Sequence, residues 1–225
     1  MNDFEYVNLE DLEPNYTVYQ ENILLIGFIG TGKTTMAQDI LDGLPNAQVY
    51  AWDAQNKFSK YGLNVRTLQD FKDPNQSYIL NPISQSQKYF DAYFEMIYNN
   101  AIKGLLKNKV CITDELQKFT NPRELDSPLF KVVTSCRNQS ISHIFITPSP
   151  AYIPKYIKEH VAHVFSFMMN DYDHVKYMQK NFFGKSAWLT MSPDKRDYYQ
   201  DEPMLTEHSF IYRNQKEQIT KVVNF

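Results

Sequence analysis

Apolar and polar residues change places along this chain in blocks whose period alternates between strand and helix. Asn22 to Ile26 is a short apolar run ending at a glycine, the pattern of a buried parallel strand that feeds a turn. Thr34 to Leu44 comes next with Met36, Ala37, Ile40, Leu41 and Leu44 at helical spacing, and Gly43 and Pro45 close it. Gln48 to Asp53 predicts a second strand and Ser77 to Leu80 a third. Ser86 to Leu106 predicts a long helix bearing Tyr89, Phe90, Tyr93, Phe94, Ile97 and Ile102. An aromatic stripe at that spacing is assigned to packing rather than to a binding surface.

The alternation continues with a strand at Lys109 to Thr113, helical character from Leu125 to Asn138, and a strand at His143 to Thr147. A short helix at Tyr152 to His160, an apolar run at Val164 to Met168 and a helix at Asp171 to Phe182 complete it. Beyond Gly184 the pattern changes to strand-like pieces at Ala187 to Met191, His208 to Arg213 and Gln218 to Asn224. Residues 1–20 are polar and acidic and predict an arm or short strand laid over the domain. The expectation is an α/β protein with a mostly parallel sheet covered on both faces and an antiparallel C-terminal edge. It divides into an arm at 1–20, a core at 21–182 and a strand extension at 183–225.

Composition narrows the picture. With 225 residues, 43% of them hydrophobic, the chain can bury one sizeable core, so a single domain is expected. No stretch approaches the roughly 18 uncharged apolar residues of a membrane span, and the acidic N-terminus lacks the pattern of a secretory signal. A soluble protein is expected. Cys111 and Cys136 each lie in an apolar segment without metal-ligand spacing, which suits buried free thiols. A net charge of −3 argues against a broad basic face for nucleic acid, although it leaves room for a local lysine patch inside a ring.

The chemistry concentrates in two segments. GFIGTGKT, Gly27 to Thr34, fits the phosphate-binding loop pattern and stands between a predicted strand and a predicted helix. Backbone N–H groups of Gly27, Phe28, Ile29, Gly30, Thr31 and Gly32, together with Lys33, Thr34 and Thr35, would cradle a nucleotide's phosphates. Lys33 would neutralise the β- and γ-phosphates and the Thr34 hydroxyl would sit on Mg²⁺. VCITDE, Val110 to Glu115, delivers two acids at the end of a strand. Asp114 would hold Mg²⁺ and Glu115 would orient and deprotonate an attacking water. A glutamate that activates water belongs to a hydrolase rather than to a small-molecule kinase. A GTPase would need Asn-Lys-x-Asp after the acid strand, and both Asn-Lys pairs, Asn56-Lys57 and Asn108-Lys109, precede the acid pair and lack the Asp. ATP is therefore the expected nucleotide.

Three further segments resemble the FtsK/HerA superfamily of DNA-pumping ATPases. QVYAWDAQNKF at Gln48 to Phe58 looks like that family's second strand and polar turn. CRNQSISHIFITPSP at Cys136 to Pro150 looks like its helix ending in arginine and its sensor strand, and Ala151 to Asn170 resembles the family's next segment. The likeness spans roughly residues 22–182. It implies a RecA-like P-loop core with an added strand between the two motif strands. The compact size is most similar to the genome-packaging ATPases of tailless internal-membrane viruses, particularly the archaeal turreted icosahedral type.

The resemblance further implies a ring of five or six subunits, double-stranded DNA as partner, and a capsid-vertex or membrane-associated virion protein as docking site in host cytoplasm and virion. The family places glutamine at the sensor position, where this chain has Pro148, so Thr147 or Ser149 would contact the γ-phosphate or water. An arginine from the neighbouring subunit would complete each site. Arg137, in the matching segment, leads Arg66, Arg123, Arg196 and Arg213. Lys155 with Lys158, or Lys195 with Arg196, could face DNA, although such charges are more often a solvated face. Two alternatives remain: a filamentous-phage assembly ATPase of the zonula-occludens-toxin-like type, which normally carries a membrane span, and an ATP-dependent switch or scaffold without translocation.

Overall fold

Apolar runs flanked by polar turns pair into one sheet, and the alternation within each run sends neighbouring residues to opposite faces. The computed structural model describes residues 5–8, 21–44, 46–123, 126–184, 187, 190–191, 209–216 and 219–224. Its strands are β1 (Glu5–Asn8), β2 (Asn22–Ile26), β3 (Gln48–Trp52), β4 (Leu63–Val65), β5 (Tyr78–Leu80), β6 (Lys109–Thr113), β7 (Ile141–Thr147), β8 (Val161–Ser166), β9 (Phe210–Asn214) and β10 (Ile219–Asn224). Its α-helices are α1 (Lys33–Asp42), α2 (Gln87–Ile102), α3 (Pro128–Ser135), α4 (Lys155–His160) and α5 (Tyr172–Met178).

Among the described residues the sheet has ten strands in the order β1-β10-β9-β8-β2-β7-β6-β3-β5-β4. From β8 to β4 every neighbouring pair is parallel. Strand β9 runs antiparallel to both β8 and β10, and β1 pairs parallel with β10. The expected mostly parallel sheet with an antiparallel C-terminal edge is therefore present. The added strand is also present: β7 lies between β2, which feeds the glycine loop, and β6, which carries the acid pair. The N-terminal arm contributes β1. His208 and Gln218, at the starts of the two C-terminal strands the sequence predicts, lie outside the described residues.

Two apolar layers sandwich the sheet. Ile23, Leu25, Val110, Ile112, Ile144 and Ile146 pack on one face with Met36, Ala37, Ile40 and Leu41 of α1. Leu24, Ile26, Trp52, Cys111 and Phe145 point to the other face, where residues of α2, α3, α4 and α5 cover them. The aromatic stripe of α2 is core, as its spacing predicts: Trp52 makes edge contacts with Phe90 at 5.1 Å and Phe119 at 5.2 Å, and Phe90 stacks on Phe119 at 4.4 Å. Only its last member departs, since Ile102 is exposed at the helix end. Both cysteines are buried and free.

Several boundaries differ from the sequence pattern for local reasons. Pro128 opens α3 rather than interrupting it, because Ser127 caps the helix by accepting from the Phe130 N–H and a first-turn proline has no amide that needs a partner. Strand β4 has no counterpart in that pattern; it is three residues long with Leu63 and Asn64 exposed, so no apolar run announces it. Ala187 to Met191 is not a strand in its described residues: Thr190 hydrogen-bonds back to Ala187, and Met191 makes an isolated bridge with Met169.

Candidate functional site

The parallel strands β2, β3, β6, β7 and β8 all end at one edge of the sheet, so the loops that leave them converge. Gly27 leaves β2 beneath β8 and its continuation; a Cβ there would stand 2.6 Å from the Phe167 Cβ, which excludes any side chain. Gly32 adopts φ 100° as the N-cap of α1, a left-handed turn that glycine takes without strain. Between them the Thr31 hydroxyl and the Lys33 ammonium both donate to the Phe28 carbonyl, at 2.8 and 2.7 Å. The loop is thus closed on itself and opens the N-terminus of a ten-residue helix. Such a terminus attracts anions through its free N–H groups and its dipole.

Strand β6 delivers the acids. The Asp114 N–H donates to the Trp52 carbonyl at 3.2 Å, prolonging the ladder between β6 and β3 by one residue. Asp114 is 2% exposed, and burial raises its pKa against the opposing effect of Lys57. Burial also pushes the Lys33 ammonium down to about 8, a shift that Asp114 opposes and Lys57 reinforces. Glu115 occupies φ 57°, a left-handed conformation that is uncommon for a residue with a side chain and is found where backbone strain serves a site.

A cavity of about 320 Å³ opens over this edge, lined by Ile29, Gly30, Gly32, Lys33, Thr34 and Thr35 of the loop and by Gln55, Lys57, Asp114, Glu115, Ile146 and Pro148. The structure therefore brings together the phosphate loop and the acid pair. Thr34 and Asp114 supply hard oxygen donors to the same space, which fits a magnesium ion that takes few protein ligands and completes its shell with phosphate oxygens and water. Among the described residues no cluster of three or more His, Cys, Asp or Glu forms, so they offer no all-protein metal cage.

Residues 17–150, more than half of the chain, match the AAA domain family. The chain belongs to that family. No curated protein sequence matches it. Among solved structures, this AAA domain is similar to the genome packaging NTPase B204 from Sulfolobus turreted icosahedral virus 2 in complex with ATP-gammaS, at 14% identity and TM-score 0.71, over 91% of this chain and 97% of that one. It is similar also to B204, the DNA-packaging ATPase from Sulfolobus turreted icosahedral virus, at 17% identity and TM-score 0.68, over 90% and 96%. The pCW3 conjugation coupling protein TcpA, monomer form with ATPgS, matches at 14% identity and TM-score 0.61, over 91% of this chain and 60% of that one. The P-loop ATPase fold expected from the FtsK/HerA resemblance is the fold these structures share.

Thr147 stands elsewhere than the sequence suggests. This residue of the AAA domain is fully buried and absent from the cavity lining; its hydroxyl lies 3.1 Å from Gln117 Oε1 and 3.0 Å from the Ser149 carbonyl, and it accepts from the Ser149 N–H. Pro148, lacking any polar side-chain atom, faces the cavity in its place. Gln117 bridges the gap, because its amide nitrogen donates to Glu115 Oε2 at 2.8 Å while its oxygen receives Thr147. Lys118 also pairs with Glu115 Oε2, at 3.3 Å. The chain thus carries a glutamine that touches the expected base, but from the loop after β6 rather than from β7. A search confined to the sensor strand misses it.

Arg137 is not at this edge. It precedes β7, at the opposite end of the strands, where it lines a second cavity of about 310 Å³ with Glu21, Glu159, His160 and Lys216 among others. It is exposed and makes no ion pair among the described residues. Of the other arginines, Arg66 and Arg123 are exposed, Arg213 donates to Thr220 at 2.9 Å, and Arg196 lies outside the described residues, as does Lys195. Lys155 pairs with Glu159 at 3.4 Å, and Lys158 stands 5.2 Å over the Tyr177 ring, which fits a solvated face.

Proposed function

We propose that this protein is an ATP-hydrolysing motor that moves double-stranded DNA into a preformed viral capsid. The observation that carries the reading is the single cavity in which Lys33, Thr34, Asp114 and Glu115 converge. In it Lys33 would bind the β- and γ-phosphates, Thr34 and Asp114 would hold the metal ion, and Glu115 would take the proton of the attacking water. A bound magnesium ion would supply charge neutralisation at the phosphates. The likeness in fold to a genome packaging NTPase and a DNA-packaging ATPase over nearly the whole length of both chains supports DNA as the substrate. A ring of five or six copies would be the working form. In that ring Arg137 would reach the neighbouring subunit's nucleotide. A capsid-vertex or membrane-associated virion protein would be its docking partner, in host cytoplasm and virion. Among the described residues no helix is long and apolar enough to cross a membrane.

The test is ATP turnover with and without long duplex DNA, at low and moderate salt, across protein concentration. Stimulation irrespective of base sequence is expected, because a motor grips phosphates common to every sequence, and it should weaken steeply as salt rises. One observation favours a second reading. Glu115 Oε2 is already held by Gln117 and Lys118, an arrangement that suits slow turnover in an ATP-dependent switch or scaffold. A rate indifferent to DNA under conditions where a ring forms selects that reading over the motor.

A further inference from the structure

The cavity contains a cation that the phosphate-loop pattern does not include. Lys57, in the turn after β3, reaches across to Asp114, with Nζ 3.1 Å from Oδ2. Its side chain remains 32% exposed, whereas that of Asp114 is 3% exposed. An ordinary surface lysine on a loop samples many rotamers. This one sits on a turn built from both sides. The Asp53 carboxylate accepts the Phe58 N–H at 2.7 Å, the Asn56 N–H returns to the Asp53 carbonyl at 3.3 Å, and Asn56 itself takes φ 58°. Phe58 is fully buried and anchors the turn's end. From α1, the Gln38 amide donates to the Lys57 carbonyl at 2.8 Å, tying the turn to the helix that extends from the phosphate loop.

We infer that Lys57 is a second phosphate-binding cation of the nucleotide cavity, aimed by this turn at the terminal phosphate of a nucleoside triphosphate. The inference rests on the nucleotide reading above and deepens it. Lys57 lines the same space as Lys33, Thr34 and Glu115, and its charge is felt at Lys33. Asp114, which Lys57 touches, is also the residue that would hold a magnesium ion with Thr34, so a phosphate seated over the loop would lie on the side of the cavity that Lys57 lines. A purely structural ion pair would need only to neutralise the buried carboxylate. It would not require a turn fastened to the phosphate-loop helix, nor leave the ammonium open to the cavity. The role is one of charge: a triphosphate carries one more phosphate than a diphosphate, and Lys57 binds that addition. This gives the chain a means of telling ATP from ADP from within one subunit, besides any arginine supplied across an interface.

The experiment compares Lys57→Met with the parent for affinity toward Mg-ADP and a Mg-bound non-hydrolysable ATP analogue, by displacement of a fluorescent nucleotide, alongside circular dichroism. Expected is an unchanged fold, ADP affinity within about twofold, and an ATP-over-ADP preference reduced roughly tenfold or more, the scale of one charge-assisted contact. A variant that keeps the parent's preference overturns the inference. Because a substituted chain can fail to fold, the parent protein is also labelled with an amine-acylating ester and mapped by mass spectrometry. Lys57 is expected to be shielded by the ATP analogue and not by ADP, and equal labelling with both nucleotides overturns the inference. If the parent binds neither nucleotide, the nucleotide reading itself fails; if it binds both and only the Lys57 results are negative, Lys57 alone is misassigned.

Discussion

The two ends of the same strands carry cavities of nearly equal size, about 320 Å³ at the carboxyl end and about 310 Å³ at the amino end, yet only the first is built for phosphate. At the carboxyl end the N-terminus of α1, Lys33 and Lys57 present positive charge beside two carboxylates. At the amino end the charges are largely spent on one another. Glu21 is half-buried, which alone would raise its pKa, but hydrogen bonds from Lys216 and His163 outweigh that and hold the carboxyl below its usual value. Arg137 is the arginine of that cavity, and it has no ion pair among the described residues. Volume therefore says little about a site. What separates the ends is which backbone groups the parallel arrangement exposes: loops leaving strands meet a helix N-terminus at one end, and helix C-termini return at the other.

If the amino end of one subunit serves the carboxyl end of the next, Arg137→Ala should produce the largest loss of turnover among variants that still bind nucleotide. Turnover by the assembled ring is expected to fall by roughly 10³ to 10⁵, with nucleotide affinity nearly unchanged. Mixing this variant with Lys33→Ala protein should restore part of the activity, since each supplies the group missing from the other. No recovery in any mixture would return Arg137 to the passive edge.

Within the carboxyl end, Glu115→Gln should lower hydrolysis by roughly 10² to 10⁴ while binding persists, the span of a lost general base. Lys33→Ala should abolish binding itself. Filter binding and steady-state turnover separate the two defects, and a Gln variant that hydrolyses at the parent rate removes Glu115 from the role of base.

The smallest effect belongs to a residue away from either cavity. His143 on β7 is buried with neither ring nitrogen partnered among the described residues, and burial lowers its pKa to about 3. The unfolded chain takes up that proton near pH 6.5, so folding loses stability as pH falls from about 6.5 toward 3. His143→Phe should therefore flatten the acid side of the stability profile in thermal melts without altering nucleotide affinity. An unchanged acid limb would mean that other groups carry the acid sensitivity.

The phosphate loop, the acid pair and most of the strand and helix alternation are legible in the chain alone, because each depends on neighbours within a few residues: Gly27 to Thr34 on glycine geometry, Val110 to Glu115 on an apolar run, α2 on aromatic spacing. So is the parallel sheet with its antiparallel C-terminal edge. Contacts between distant segments emerge only once the chain is folded. Lys57 meets Asp114 across 57 positions and Gln117 meets Thr147 across 30, and neither pairing leaves a local signature. Asn56-Lys57 is visible in the chain as a failed guanine motif, with nothing beside it to say where its ammonium points. Thr147 faces the cavity in a reading of β7 alone, but strand alternation and a proline at 148 turn its hydroxyl inward, and Gln117 takes the polar contact with Glu115. Side-chain direction at the end of a strand depends on which elements pack beside it, and that information is distributed over the whole chain rather than written at the residue.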